Sequence, residues 1–293
     1  MKNKLSLFAV PYVGWMSIFV VAPIIIMVVY AFSTAAGDFT LENFARMGTY
    51  TAVFTRSFKL AIIATLIALL IGYPVSYMLS KEGPQVQRIA MVLIMLPMWM
   101  NFLLRTYSWM SILENNGLLN QLFQQIGLID LYNQIAMHFA SDPAAYVPID
   151  HFQMIGTQGA VVLGMVYNYL PFMILPIYSV LVKLDHSLIE AARDLGASSV
   201  QVFRKVILPL SLPGVLSGIT MVFVPSVSTF AISRLLGGGK SLLLGDLIEM
   251  QFMGTTYNPW LGSAIALVMM VIVLVCMAIM NRFGEGEEGV SFL

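Results

Sequence analysis

Charge is what this 293-residue sequence has least of: 10% of its residues are Asp, Glu, Lys or Arg, against about 25% in an ordinary soluble domain. The 15 basic and 15 acidic residues cancel, so no bulk field exists to hold nucleic acid, and none is expected as a partner. A single cysteine, Cys276, excludes an internal disulfide framework and any multi-cysteine metal site. The three histidines, His138, His151 and His186, have no ligand spacing, so no metal is expected. No Ser/His/Asp arrangement can be drawn and no cofactor motif occurs, which argues against an enzyme. Gly239-Lys240-Ser241 has the ending of a phosphate-binding loop, but the required first glycine falls on Arg234. This chain is therefore not expected to bind ATP.

What the sequence does have is apolar surface. Hydrophobic residues make up 59% of it, more than a water-facing shell of this size can hide, so lipid is the expected solvent. Six stretches reach the roughly 20 residues needed to cross a bilayer: Leu5–Phe32, Ser57–Leu79, Ile89–Leu113, Gly159–Val182, Leu212–Leu236 and Trp260–Met280. The first is too long for a secretory leader and is read as an anchor. Lys2, Lys4, Lys81, Arg88, Lys183, Arg193, Arg204, Lys205 and Arg282 fall on one side, and 114–159 carries no Lys or Arg. By the positive-inside rule both termini are cytosolic. The expectation is an all-α, polytopic membrane protein with six transmembrane helices in one domain over 1–293. It includes an inner segment 183–211, a long outer loop 114–158, and a short acidic tail with Glu285, Glu287 and Glu288. Within the outer loop Leu118–Ile129 reads as one amphipathic helix, and Asp142-Pro143 and Pro148 interrupt the remainder of the loop.

The inner segment is the most patterned. Ser187 and Glu190 have the spacing of a capping box, and Leu184, Leu188, Ala191, Ala192 and Leu195 recur at helical intervals. Gly196 is a helix stop, Ser198 and Gln201 open a second capping box, and Pro209 and Pro213 mark entry into the next span. A short helix, a glycine turn and a second helix are predicted on the cytosolic face.

Here the sequence resembles a known family. Glu190-Ala191-Ala192, Gly196 and Leu208-Pro209 match the pattern E-A-A-x3-G-x9-I-x-L-P, with Val206 where the pattern has Ile. This is the signature of permease subunits in bacterial ATP-binding-cassette (ABC) importers. The resemblance implies a type I importer permease fold in the inner membrane, with ATP hydrolysed by a separate ATPase dimer that the Glu190–Pro209 hairpin contacts. It also implies a second permease subunit and an extracytoplasmic binding protein. Pro97-Met98-Trp99-Met100-Asn101 with Arg105 and Tyr107, Leu170–Met173, Lys183-Leu184-Asp185, Glu190–Ser198, and Gly237-Gly238 with Leu243 and Gly245 are similar to spermidine/putrescine permeases of the PotB type. That narrower likeness implies a PotC-like second permease and a polyamine-binding protein. A permease for another small solute (amino acid-like, opine, metal or anion) or a secondary transporter is the alternative.

A solute route is sought where spans are interrupted. Pro97, Pro171 and Pro225 lie near mid-depth of the third, fourth and fifth spans, and a helix-interior proline frees a carbonyl that lipid cannot satisfy. Beside them stand Trp99, Asn101, Tyr167, Tyr169, Ser226, Thr229 and Phe230. Aromatic faces and neutral oxygens can hand on a polyamine by cation–π contacts of about 0.5–2 kcal/mol each. The competing reading is that these residues bond helices to one another. Trp99 and Tyr169, off the interfacial belts, are expected to need buried partners. Arg105 and Arg234 are expected to snorkel to the outer interface as anchors, or as partners for a carboxylate of the binding protein.

Overall fold

The computed structural model describes residues 11–139, 146–239, 241–254 and 256–284, and apart from one isolated bridge between Ser33 and Phe39 these are helix and loop. Lys2, Lys4, Asp142-Pro143, Lys240 and the acidic tail lie outside the described residues. Five helices are long and apolar enough to cross a membrane, and the crossings number six where one bent pair is counted as a single span.

Helix α1 is Pro11–Ala31 and α2 is Thr51–Ser80. In place of the third span stand α3 (Pro84–Trp99) and α4 (Phe102–Leu113), and the stretch Phe102–Gln125 that α4 opens lies at 91° to α3. The expected straight crossing over Ile89–Leu113 is therefore corrected. Pro97 cannot donate to the helical ladder, and the Asn101 side chain caps a new helix by accepting from the Leu103 amide at 2.8 Å. The loop 114–158 holds α5 (Leu118–Gln125) and α6 (Leu128–Phe139). The single helix expected there divides at Gly127, whose φ of 70° ends the first half. Asn120 clamps the loop, donating to the Glu114 and Phe152 carbonyls and accepting from the Phe152 amide at 2.9 Å.

Helix α7 (Gln158–Val182) stays continuous through Pro171 and Pro176, so the fourth span is not broken. Helix α8 is His186–Asp194 and α9 is Ser199–Ser228. The fifth span ends at Ser228 instead of Leu236, because Thr229 is extended (ψ 140°) and a separate α10 (Ala231–Leu236) comes after it. Helix α11 (Leu244–Met253) returns over that break, and α12 (Pro259–Gly284) is the last span.

The core is the triple packing of α2, α7 and α9. Small residues let the backbones close in, as membrane helices require in place of a hydrophobic driving force. A Cβ on Gly72 of α2 or Gly218 of α9 would meet Met173 of α7 at 2.9 and 2.8 Å. Hydroxyls stitch the same seam, Tyr73 with Ser211 at 2.9 Å and Ser76 to the Ile174 carbonyl at 3.1 Å. The outward faces of α1 and α12 are apolar and exposed, as lipid contact demands.

Candidate coupling segment and solute pathway

The inner hairpin is built much as its sequence indicates, with one change at its start. Helix α8 is capped by Asp185, whose carboxylate accepts from the Ser187 amide at 2.9 Å. Bonds from Ser187 hold that carboxyl below the usual range. The capping box expected from Ser187 and Glu190 does not form, because the helix begins at His186 and Ser187 already lies in its first turn. At the far end Gly196 has φ +82°. Its amide donates to the Arg193 carbonyl at 2.8 Å and the Ala197 amide to the Ala192 carbonyl at 3.1 Å, the two bonds of a Schellman closure. The second capping box is present: Gln201 accepts from the Ser198 amide at 2.8 Å, and the Ser198 hydroxyl accepts from the Gln201 amide at 3.4 Å.

The expected single apolar stripe divides between two directions. Leu184, Ile189, Ala192 and Ala197 pack against the bundle, while Leu188, Ala191 and Leu195 point outward, Leu195 being 89% exposed. Glu190, Leu208 and Pro209 are also exposed. The hairpin thus offers an apolar ridge with no partner among the described residues of its own chain.

The hairpin's second helix is not separate from the fifth span. It runs on through a π-helical turn, Phe203–Ile207, directly before Pro209. A wider turn takes up the loss of the proline amide without a break. Phe203 meets Tyr73 and Tyr77 of α2 edge to face, with ring centroids 5.9 and 5.3 Å apart. These two tyrosines are structural contacts that the motif does not include; their signal is the i, i+4 aromatic pair at the inner end of α2. Beside them a cavity of about 330 Å³ lies between hairpin and bundle, bordered by Lys81, His186 and Arg193.

Around the interrupted helices the structure brings some expected pathway residues together and separates others. Tyr169 of α7 reaches the Pro225 carbonyl at 3.5 Å, one of the carbonyls left over where α9 ends. Thr229 is buried there and Phe230 is half-exposed at the start of α10, which packs on α4 and α7. Ser226 is buried and donates to the Val222 carbonyl of its own helix at 2.7 Å. Tyr167 stacks edge to face on Trp109 at 5.2 Å. Asn101 is occupied as a cap. Trp99 is 75% exposed at the end of α3 and pairs with no other ring among the described residues. The buried partner expected for it is therefore absent from the described residues, because α3 lies along the outside of the bundle.

Of the two arginines, Arg105 departs from expectation. Arg105 does not snorkel: it is 8% exposed, and its Nε and one Nη find no acceptor among the described residues. The bend after Pro97 turns α4 inward, so Arg105 enters the bundle where a straight helix would have sent it to the interface. Arg234 is held within its own chain by both carboxylate oxygens of Glu249.

Above the break, α11 acts as a roof. A Cβ on Gly245 would lie 2.4 Å from the Ser228 carbonyl and 2.5 Å from that of Thr229, so only glycine admits this contact. Asp246 accepts from the Ser233 hydroxyl at 2.6 Å and the Leu243 amide at 2.9 Å. Burial pushes its carboxyl up, and those two bonds pull the other way. The Leu244 amide donates to Ser57 of α2 at 2.8 Å. Among the described residues no three metal-ligating side chains come together.

The family described as binding-protein-dependent transport system inner membrane component matches residues 68–286. A spermidine/putrescine transport system permease protein PotB from Salmonella typhimurium strain SL1344 is 35% identical over 271 residues, 90% of this chain and 88% of that protein. The protein of the same name from Haemophilus influenzae is 35% identical over 290 residues, covering 96% and 94%. The fold resembles a chain of a bacterial ABC transporter that imports the acidic polysaccharide alginate, with TM-score 0.76, 15% identity and coverage of 97% and 96%.

Proposed function

The chain belongs to the family of binding-protein-dependent transport system inner membrane components, and from that premise we propose that it is the subunit through which an ABC importer passes polyamines, spermidine or putrescine, into the cytoplasm. The observation that carries this is 35% identity extending over nine-tenths of the chain to permeases named for those solutes. The multi-pass, inner-membrane character comes from the family and the apolar helices. The cytosolic placement of both termini is our reading of the Lys and Arg distribution.

In this proposal the whole chain is one permease domain. Glu190, Ala191, Ala192, Gly196, Leu208 and Pro209 form the surface that meets the ATPase dimer. The exposed ridge of Leu188, Ala191 and Leu195 supports it, since an apolar ridge in the cytosol needs cover. The hairpin is continuous with α9 and gripped by Tyr73 and Tyr77 of α2, so movement of the ATPase pulls directly on two core helices. ATP binding drives the outward-open state, to which a loaded binding protein docks, and hydrolysis resets it. Each state is favoured only by contacts that differ between the two.

The pathway runs past the two broken spans, with Tyr169, Thr229 and Phe230 at the covered break and Trp99 and Asn101 at the open one. Tyr167 and Ser226 stand behind as supports. Because Trp99 and Phe230 are exposed in the single chain, the route is completed by a second, PotC-like permease subunit. The deciding experiment is ATP hydrolysis by the complex reconstituted with its ATPase, second permease and binding protein, titrated with polyamines and a panel of amino acids. Stimulation by spermidine or putrescine is expected. Stimulation only by another solute would overturn the polyamine assignment and leave the family untouched.

A further inference from the structure

The cavity between the inner hairpin and the bundle is bordered by charge of one sign. Its volume is about 330 Å³, and Lys81, at the end of α2, borders it together with His186 and Arg193 of α8. Among the described residues no carboxylate lines it. Glu82, Asp185 and Asp194 are sequence neighbours of these cations and stay out of the lining. The ion pairs among the described residues, Arg46 with Glu42 and Arg234 with Glu249, lie elsewhere. The Lys81 ammonium rests 3.9 Å from the centre of the Tyr77 ring, a contact that places the charge without neutralising it. The floor is apolar, with Leu181, Val202 and Ile207 buried beneath the opening.

Cations from two separate elements gathered on one opening repel one another until an anion joins them. All three are exposed, so an anion can enter. Arg193 offers a planar fork of donors that matches phosphate oxygens, and Lys81 a point charge. Ser199, the first residue of α9, adds a hydroxyl to the lining. A tetrahedral phosphate can meet donors arriving from several sides, whereas a carboxylate presents two oxygens in one plane. The volume is at the low end of the range for small-ligand sites, about 300–1,000 Å³, room for a phosphate ester with part of its carbon chain over the apolar floor. The cavity also lies where α2 and α7 end, the level of lipid headgroups, and basic pockets between membrane helices on the cytoplasmic side suit such groups. Leu184 and Ile189, which face the bundle, border it, while Leu188, Ala191 and Leu195 of the outward ridge do not. Cover on the ridge therefore leaves the cavity to a small ligand.

We propose that this cavity is a phosphate-ester site whose occupant, a lipid headgroup or a free ester, ties the hairpin to the bundle by joining Arg193 and His186 to Lys81. The hairpin runs on into α9 and, in the function proposed above, carries the movement of the ATPase. A ligand across this seam makes the hairpin and α2 move together, which places coupling under the control of an anion. Binding itself depends on neither the polyamine assignment nor the coupling role, so the site stands or falls apart from them.

The test uses the assembled importer in phosphatidylcholine nanodiscs. One arm measures binding of radiolabelled glycerol 3-phosphate, with potassium chloride holding the ionic strength constant. The other adds phosphatidylglycerol to the discs and reads the lipid retained by the complex in a native mass spectrum. Saturable binding in at least one arm is expected; the soluble ester would identify a free ligand, and phosphatidylglycerol alone a headgroup. Lys81→Gln on the bundle and Arg193→Gln on the hairpin should each weaken it about tenfold, since each removes a charge-assisted bond. Arg204→Gln removes the same charge from an exposed position outside the lining and should leave binding unchanged. Binding of neither ligand, or an equal loss in Arg204→Gln, would overturn the site. Wild-type binding by Lys81→Gln or by Arg193→Gln would overturn the bridge. If a neutral variant does not assemble, Ser199→Cys in a Cys276→Ala background takes its place: bound ligand should slow alkylation of that thiol several-fold, and an unchanged rate would overturn the placement.

Discussion

Substitution of Gly196 isolates the backbone of the inner hairpin from everything around it. A Cβ built there meets nothing within 4 Å, so packing contributes no penalty and the whole cost is the left-handed conformation at φ +82°. For an L-residue that cost is about 1–2 kcal/mol, greater for a β-branched side chain and smallest for Asn, which tolerates the region. A hairpin destabilised by about 1–2 kcal/mol loses a factor of about 5–30 in the population of its closed form. Gly196→Asn should therefore transport nearly as well as wild type, Gly196→Ala several-fold less, and Gly196→Val least. Uptake by whole cells, retention of the ATPase on the purified permease, and membrane insertion are the three measurements. Insertion should survive in all variants, since the turn lies beyond the spans, while uptake and ATPase retention fall together in the order given. Wild-type uptake by the Val variant at equal expression would refute the reasoning, because the left-handed conformation would then carry no cost. Loss in the Asn variant as severe as in Val would show that the glycine is needed for room in the complex and not for its dihedral angle.

Other parts of the molecule support three further expected outcomes. Cysteines placed at Ser198 and at Asp150, in a Cys276→Ala background, should be labelled by an impermeant thiol reagent only from the cytosolic and only from the outer side respectively; the reverse at either site would overturn the orientation. Trp99→Leu should slow polyamine uptake more than Trp99→Phe by a factor of about two to thirty, corresponding to about 0.5–2 kcal/mol for a lost aromatic face; equal losses would assign the ring to subunit packing. Asp246→Asn keeps an acceptor for Ser233 and Leu243 while removing a buried charge. Because burial raises the folded carboxyl above its ordinary value, wild-type stability is fullest below the ordinary carboxylate range and declines as pH rises through the raised value. The Asn variant should lack that decline in a thermal melt of the purified protein, whereas Asp246→Leu, which strands two donors, should lose about 1–3 kcal/mol at all pH.

The parts of this fold legible in the sequence are those set by local rules. The apolar stretches, the Gly196 turn and the Ser198–Gln201 box depend on composition, a single φ and a three-residue spacing. The misplacements arise where two local signals compete or where a distant segment decides. Ser187 and Glu190 have capping-box spacing, but Asp185 two residues earlier is an equally good cap and starts the helix first. Pro97, Pro171 and Pro225 look alike in sequence. Only the first and third precede breaks, because α7 sits between α2 and α9, which hold it straight from both sides. Arg105 had the depth of a snorkelling residue on a straight helix, and the 91° bend moved it inside. The contact of Gly245 with Ser228 and Thr229, like the bond from Leu244 to Ser57, joins segments far apart in the chain and leaves no periodic trace.

Those long-range contacts describe how the two ends of the molecule are joined. Helix α2 is gripped at the end that meets the hairpin by Phe203, through Tyr73 and Tyr77. At its other end Ser57 accepts the Leu244 amide that begins the roof over the α9 break. Tyr73 lies sixteen positions along from Ser57, with no proline and only Gly72 as glycine between them, a rod of about 24 Å at 1.5 Å per residue. A displacement of the inner hairpin therefore reaches the outer roof through one rigid element, and also reaches the break itself through α9, which is continuous with the hairpin. The break lies between the two, at Thr229 and Phe230. Moving α2 and α9 together carries break and roof as a unit and leaves the Gly245 contact intact; moving them differently slides the roof off the Ser228 and Thr229 carbonyls. Only the second motion changes which backbone groups are free at the break, so that is the one able to alternate a pathway. A disulfide between the start of α11 and the end of α9 should accordingly abolish uptake while the ATPase stays bound, and uptake persisting with that link closed would show that break and roof travel together.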